Sequence, residues 1–211
     1  MTSMIEQYQR AFQEHGDTPA AVLWPKGRQD LRFNALTSHI QKDCFSVLDY
    51  GCGLAHLKAY LNQRFQEVAY HGVDLVPDFV HAVQQKYPDA NVKVVTSYQD
   101  ITDSIDHVVI SGAFNIIADG NTTTYLASVQ ETLQHLFKLC RISLAVNFMT
   151  DKVDFQQAGA HHTNVEHMYN FIRKNLSHRL IINQSYMPYE FTCIVFKDDF
   201  IMRPDNTYSL M

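Results

Sequence analysis

Asp49, Gly51 and Gly53 form an acid followed by two glycines one residue apart, directly after the apolar run 45–48. That run reads as a buried parallel strand, and residues 55–65 beyond the glycines read as a helix. A strand, a Gly-rich turn and a helix make a nucleotide-cradling unit. Glycine lets the backbone approach a ligand closely, and a helix N-terminus offers free N–H groups. A second acid, Asp74, closes the run 67–74 and stands 21 residues after Gly53. Open α/β sheets bind ligands in the crevice beyond their strand ends, where such a carboxylate can accept both hydroxyls of a ribose. A dinucleotide site would carry the same acid, so Asp74 alone does not choose the nucleotide. The glycines help to choose. A dinucleotide fingerprint needs a small residue at the third position of G-x-G-x-x-G/A, to let helix and strand pack closely. This chain has His56 there.

The elements that must position these residues follow from the rest of the 211-residue chain. Hydrophobic residues make up 46% and aromatics 12%, which suits a globular chain with a sizeable core. The net charge is −5 with no run of Lys or Arg, so no nucleic-acid footprint is visible. Cys44, Cys52, Cys140 and Cys193 form no C-x-x-C pair. With no secretory signal and no spanning apolar segment, the expectation is a reduced, cytoplasmic protein. Residues 1–15 carry Ile5, Tyr8 and Phe12 at helical spacing, and Gly16 ends that run. A second helix is expected over 29–40 with Leu31, Leu36 and Ile40 inward. Strands are expected at 67–74, 92–96, 105–112 and 142–148. Helices are expected from Pro77 to Tyr87, from Asn121 onward with Leu126, Val129, Leu133, Leu136 and Phe137 on one face, and over 165–176. The last two β-rich runs, 179–186 and 191–197, are joined by Met187-Pro188-Tyr189-Glu190, too short for a parallel crossover, so they pair antiparallel. The tail after Phe200 is expected to be extended.

A βα repeat closed by an antiparallel hairpin, together with Asp49-x-Gly51-x-Gly53, resembles the class I S-adenosylmethionine-dependent methyltransferases. The resemblance covers residues 45–197. It is carried by Val47-Leu48-Asp49-Tyr50-Gly51-Cys52-Gly53, Gly72-Val73-Asp74 and the strand ending Ser111-Gly112. Gln29-x-x-Arg32-Phe33, Ser111-Gly112-Ala113-Phe114-Asn115 and Tyr189-Glu190-Phe191-Thr192 look like a small, stand-alone bacterial subgroup that modifies metabolites or sugars. The fold implied is α/β: a Rossmann-like, mostly parallel seven-stranded sheet with a C-terminal antiparallel hairpin, helices on both faces and a helical cap over residues 1–42. One domain is expected over 1–211, its core at 43–200. Ala55 stands where the pattern most often has a third glycine, a mild departure if the backbone there is already helical.

The resemblance implies a set of cofactor contacts. Asp49 would hold the glycine loop or the cofactor's amino group, or simply cap the turn. Gly51, Cys52 and Gly53 would form the loop itself, with Cys52 a small filler because no base stands beside it. Asp74, with Leu75, would take the ribose. Gln99, Asp100 and Ile101 follow the third strand and would frame the adenine, with their register open. Ser111 and Gly112 would leave room for the sulfonium. Arg32, of the cap residues Trp24, Arg28 and Arg32, would pair with the methionine carboxylate, because guanidinium suits bidentate carboxylate binding. Asn115 and the histidines His15, His161 and His162 are candidates at the reacting centre, since imidazole titrates near neutral pH. Asn115 resembles the Asn of an Asn-Pro-Pro-Tyr box, but no prolines follow, so DNA methylation is not inferred. His161, His162 and His167 are the densest histidine cluster, and their spacing matches no compact helical metal site, so no metal is assigned.

The expected activity is methyl transfer from S-adenosyl-L-methionine, leaving S-adenosyl-L-homocysteine, to an O or N atom of a small-molecule acceptor. The cap and residues 150–164, with Trp24, Phe155, His161 and His162, would choose that acceptor. The protein is expected to act as a monomer or homodimer, with no membrane or nucleic-acid partner. An NAD(P)-dependent oxidoreductase and a non-catalytic interaction module are the alternatives. His56 and the final hairpin argue against the first, and the intact Asp49, Gly51, Gly53 and Asp74 argue against the second.

Overall fold

The computed structural model describes residues 4–23, 28–117, 122–157 and 159–198. Trp24, Asn121 and the tail after Phe200 lie outside them. Among the described residues six α-helices run in chain order: α1 (Met4–His15), α2 (Gln29–Thr37), α3 (His56–Asn62), α4 (Pro77–Lys86), α5 (Thr122–Leu139) and α6 (Val165–Asn175). Eight strands accompany them: β1 (Cys44–Tyr50), β2 (Glu67–Asp74), β3 (Asn91–Val94), β4 (Ile105–Ile110), β5 (Cys140–Thr150), β6 (His162–Thr163), β7 (Leu180–Asn183) and β8 (Glu190–Phe196).

The sheet order is β3-β2-β1-β4-β5-β8-β7, with the two-residue β6 beside β5. Strands β1 to β5 pair in parallel, and β8 runs antiparallel to both β5 and β7. This is the mostly parallel sheet with a closing hairpin expected from the short 187–190 join. The chain builds β1, β2 and β3 outward on one side, then crosses back to lay β4 beside β1. The crevice beyond the carboxyl ends of β1 and β4 is therefore the switch point of the sheet, where such folds hold ligands.

Strand periodicity explains both faces of the core. Val108 and Ile110 of β4 join one buried cluster, and Val109 between them joins the other. Leu144 and Val146 of β5 alternate with Ala145 in the same way. The first cluster packs Leu133 and Leu136 of α5 and Ile172 of α6. The second packs Leu36 of α2, Leu57 and Leu61 of α3 and Val83 of α4. A third, smaller cluster holds α1: Tyr8 and Phe12 meet the edge of Phe79 at 5.8 and 5.6 Å between ring centroids.

Two local expectations fail. Helix α2 ends at Thr37 rather than Ile40, and Leu31 is 46% exposed while Leu36 and Ile40 are buried. Ala55 is not helical in the right-handed sense. It has φ 55° and ψ 36° and stands just before α3.

Candidate functional site

The tips of β1 and β4 nearly touch. Gly51 has φ 75°, and a side chain there would come within 2.7 Å of Ala113 Cβ, so any larger residue would push the two tips apart. The loop after Gly51 turns its amides inward. Gly51 and Cys52 both donate to the Val73 carbonyl, at 2.8 and 3.0 Å. Gly53 donates to Asp74 Oδ2 at 2.7 Å, and Val76 N–H donates to Asp74 Oδ1 at 2.9 Å. Each carboxylate oxygen of Asp74 thus accepts at least one backbone N–H and, with two lone pairs per oxygen, keeps acceptor capacity for a ligand. Asp74 locks the loop to β2 as well as facing the cavity.

Asp49 is 2% exposed and accepts the Tyr70 hydroxyl at 2.7 Å. Burial pushes its carboxyl up to about 7, and the negative Asp74 nearby adds to the rise. Burial also raises Asp74, against the backbone N–H bonds that favour its charged form. Two desolvated carboxylates on one cavity wall form a site that gains from a cation. Cys52 is buried, its thiol pushed well up by burial and by Asp49, which fits a filler and not a nucleophile.

Arg32 has a partner within the protein. Its guanidinium grips the Glu190 carboxylate in a bidentate pair, with Nε donating to Oε2 at 3.0 Å and Nη2 to Oε1. Both residues are buried. Asn147 Nδ2 donates to Glu190 Oε2 at 3.1 Å, and Asn147 Oδ1 accepts the Gly112 N–H at 2.8 Å. Gly112 has φ 77°, and a side chain on it would meet Arg32 Nη1 at 2.9 Å. Helix α2, β8, β5 and the β4 tip are thereby tied through one buried network. The guanidinium charge expected to meet a ligand carboxylate is met instead by Glu190.

A cavity of about 1660 Å³ opens over these tips. His15, Arg32, Asp49, Gly51, Cys52, Gly53, Asp74, Leu75, Ser111, Gly112, Asn115 and His162 line it. Gln99, Asp100 and Ile101 do not. Ser97 Oγ accepts the Gln99 N–H at 3.2 Å and starts a tight 3₁₀ turn that carries Gln99 and Asp100 outward and Ile101 into the core. Val95, Thr96, Ser97 and Tyr98 form that wall instead. His161 also lies outside the lining, buried behind it. His162 has both ring nitrogens engaged: Gln157 N–H donates to Nε2 at 3.1 Å, and Nδ1 donates to the Thr150 carbonyl at 2.8 Å. It clamps the 150–162 segment and offers no free lone pair for a proton. Asn115 also ties structure together, its Oδ1 accepting the Met149 N–H at 3.3 Å. His15, at the end of α1, is exposed on the rim.

Sequence reasoning passed over Tyr8, Tyr125 and Glu190, which all line the cavity. Helical spacing with Ile5 and Phe12 marks Tyr8 as part of an apolar helix face. Burial, together with Asp74, pushes its phenol up to about 12, so it presents a neutral hydroxyl. Among the described residues, no group of three or more His, Cys, Asp or Glu could hold a metal ion, and no helix is long and apolar enough to cross a membrane.

The strand order, the loop locked by a strand-end acid and the cavity at the switch point define a class I methyltransferase architecture. Residues 47–135 match the methyltransferase domain family. A Mycobacterium tuberculosis protein with a provisional methyltransferase name is 27% identical over 158 residues, which are 74% of this chain and 95% of that protein. The cyclopropane-fatty-acyl-phospholipid synthase of Escherichia coli K12 is 29% identical over 136 residues, 64% of this chain but only 34% of that enzyme. The magnesium protoporphyrin IX methyltransferase of Synechocystis PCC 6803, solved with bound S-adenosylhomocysteine, shares the fold at a TM-score of 0.62 and 15% identity, over 92% of this chain and 94% of that one. Together these matches indicate a class I S-adenosylmethionine-dependent methyltransferase, with the family match itself confined to residues 47–135.

Proposed function

We propose that this protein transfers the methyl group of S-adenosylmethionine to an oxygen or nitrogen atom of a small-molecule acceptor seated beside the tips of β4 and β5. The inward-turned glycine loop carries the reading. The amides of Gly51, Cys52 and Gly53 are all spent on Val73 and Asp74, so none of them is left to cradle a pyrophosphate. The buried carboxylates Asp49 and Asp74 would repel a pyrophosphate and favour a ligand with hydroxyls and positive charge. Both features suit S-adenosylmethionine, which has no phosphate and supplies an activated methyl on a sulfonium when bound. In this reading Asp74 accepts the ribose hydroxyls, Asp49 faces the cationic end, and Gly112 leaves space at the transferred group. The cavity volume of about 1660 Å³ supports a second ligand beside the cofactor, since a single ligand site occupies roughly 300–1,000 Å³. Much of the rate would then come from in-line placement of the acceptor, worth up to roughly 7–11 kcal/mol in well-oriented systems.

Titration calorimetry with S-adenosylhomocysteine and with NADH tests the reading. Saturable binding is expected for the first and none for the second. Asp74→Ala should weaken S-adenosylhomocysteine about 100-fold or more, because hydrogen bonds to a charged group contribute roughly 1.5–3 kcal/mol each. Saturable NADH binding, or an Asp74→Ala protein that binds S-adenosylhomocysteine as the wild type does, would overturn it.

A further inference from the structure

Asn115, at the β4 tip, is a side chain whose polarity the fold fixes. Its backbone is held on both sides, the N–H donating to the Gly112 carbonyl at 3.2 Å and the carbonyl accepting the His161 N–H at 2.9 Å. Its Oδ1 accepts the Met149 N–H at 3.3 Å. A backbone N–H can only donate, so Oδ1 must face Met149 and Nδ2 must face the other way. Nδ2 has no hydrogen-bond partner among the described residues and, unlike the Tyr125 hydroxyl, is not sealed from solvent. Asn115 lines the cavity, so its amide offers a ligand N–H donors and no acceptor. A Cβ on Gly112 would stand 3.7 Å from Asn115 Nδ2 and 2.9 Å from Arg32 Nη1, which places the guanidinium charge at the same tip. The carboxylate there, Glu190, is taken by Arg32, Asn147 and Tyr186.

We infer that Asn115 Nδ2 is a subsite for the carboxylate of an acidic acceptor, holding one of its oxygens while the other takes the methyl group. The inference rests on the methyl-transfer reading and chooses oxygen over nitrogen within it. An amine spends its lone pair on the methyl group, which leaves only N–H donors to be held, and Nδ2 gives them no acceptor. A carboxylate brings spare lone pairs and a negative charge, which suit an N–H donor beside a guanidinium. Proton balance points the same way. An alcohol or an ammonium must lose a proton, and the histidines of the lining are placed elsewhere. His15 stands on the rim, His56 meets Asp17 at 3.0 Å, and His162 is clamped between Gln157 and Thr150. A carboxylate is ionised near pH 7 and needs no base. In the transfer its second oxygen forms the new O–C bond as the methyl–sulfur bond breaks. The electron pair of that bond stays on sulfur. The products are a neutral methyl ester and a neutral thioether, and no proton moves. The cavity then has opposite polarity at its two ends: the carboxyl groups of Asp49 and Asp74 for a cationic cofactor, and donors for an anionic acceptor. Ile116, Ile117 and Met149 supply an apolar wall for the body of that acid.

The test titrates the full chain, saturated with S-adenosylhomocysteine, with benzoate and with benzylamine at pH 8. The two share a ring and carry opposite charge. Benzoate is expected to bind at least about tenfold tighter, as one hydrogen bond to a charged group allows. The side-chain amide ¹⁵N resonance of Asn115 should move with benzoate and stay still with benzylamine, a readout that needs no variant. Asn115→Asp keeps an acceptor for the Met149 N–H and replaces Nδ2 by a second oxygen, ionised at that pH beside Arg32. It should melt near the wild-type temperature, lose the preference for benzoate and bind S-adenosylhomocysteine as the wild type does. Equal affinities or a preference for benzylamine in the wild type overturns the subsite, and so does an Asn115 resonance that benzoate leaves in place. A benzoate preference that survives Asn115→Asp also overturns it, by moving the anion to another cation of the lining such as Arg28 or Lys152. A loss of S-adenosylhomocysteine affinity in Asn115→Asp overturns it as well, because Nδ2 then holds the carboxylate of the cofactor itself. Failure of the wild type to bind S-adenosylhomocysteine falls on the methyl-transfer reading instead, and the benzoate preference is then read on the unliganded protein.

Discussion

The two ends of the cavity are built to different standards. At the glycine-loop end the Gly51, Cys52 and Gly53 amides, both oxygens of Asp74, and Asp49 through Tyr70 all have partners. At the other end the lining residue Tyr125 leaves its buried hydroxyl unpaired, and Asp151, His161 and Thr163, off the lining, each leave a buried atom unpaired as well. The first end is complete before any ligand arrives, as electrostatic preorganisation requires. At the second end the Tyr125 hydroxyl lacks a partner. Buried polar atoms left in this state cost stability, and strained or unsatisfied sites are where folds surrender stability to function.

The Arg32–Glu190 pair joins the two ends, and breaking it gives the largest expected effect. Glu190→Ala leaves the Arg32 guanidinium buried beside Gly112 without its carboxylate, and also strips Asn147 and Tyr186 of an acceptor. Breaking a buried pair from one side costs about 3–5 kcal/mol, to be read as a drop in the urea midpoint. The double substitution Arg32→Met, Glu190→Met should recover most of that loss, because it removes both charges at once. If Glu190→Ala unfolds at the wild-type midpoint, the network does not couple the ends and the comparison reduces to two independent sites.

What could be read in advance follows the same division. The βα order, the hairpin and the glycine turn after β1 were legible because each depends on local chemistry: a strand run, a turn that needs glycine, a join too short for a crossover. The acceptor end was not legible. His161 and His162 are adjacent in sequence and looked equivalent, yet extended backbone points them to opposite sides. One is clamped between Gln157 and Thr150, and the other is buried against Tyr125. No periodicity could bring Tyr125 from α5 to that ring, or Glu190 from β8 to Arg32 across 158 residues. Residues 98–101 follow β3 as expected, but the tight turn at Tyr98–Asp100 leaves Gln99, Asp100 and Ile101 off the cavity wall.

A smaller effect separates the two ends by charge. The Asp49 carboxyl is raised from 3.8 to about 7 in the folded protein. A raised acid stabilises the fold when protonated, and that contribution is lost as pH climbs from about 4 through 7. His39 and His107, at the far end of the sheet, are lowered by burial to about 4 from 6.5, so their contribution is present above 6.5 and lost as pH falls toward 4. The unliganded protein should therefore be less stable at pH 8 than at pH 6.5 on account of Asp49, and Asp49→Asn should flatten that decline. The ionised carboxylate left at pH 8 favours a cation. S-adenosylmethionine, with its sulfonium, should gain up to about tenfold over S-adenosylhomocysteine between pH 6 and pH 8, as a group titrating near 7 goes from mostly protonated to mostly ionised. A ratio of the two affinities that is flat with pH would detach Asp49 from the cationic end of the site.

The smallest effect tests how complete the glycine-loop end is. Ala55 occupies a left-handed conformation, φ 55°, that costs a residue with a side chain roughly 1–2 kcal/mol. It is also fully buried in the cluster with Leu57 and Leu61. Ala55→Gly relieves the strain, but it removes a buried methyl worth about 0.8 kcal/mol. It also frees the unfolded chain by roughly 0.4–1 kcal/mol. These contributions nearly cancel, so the urea midpoint should move by less than about 1 kcal/mol in either direction. Ala55 does not line the cavity, and its N–H bonds back to the Cys52 carbonyl at 2.9 Å. S-adenosylhomocysteine affinity should therefore be unchanged. A gain in affinity without a gain in stability would mean that the methyl group, and not the backbone, holds the loop short of its best geometry, and that this end of the cavity too is adjusted by its ligand.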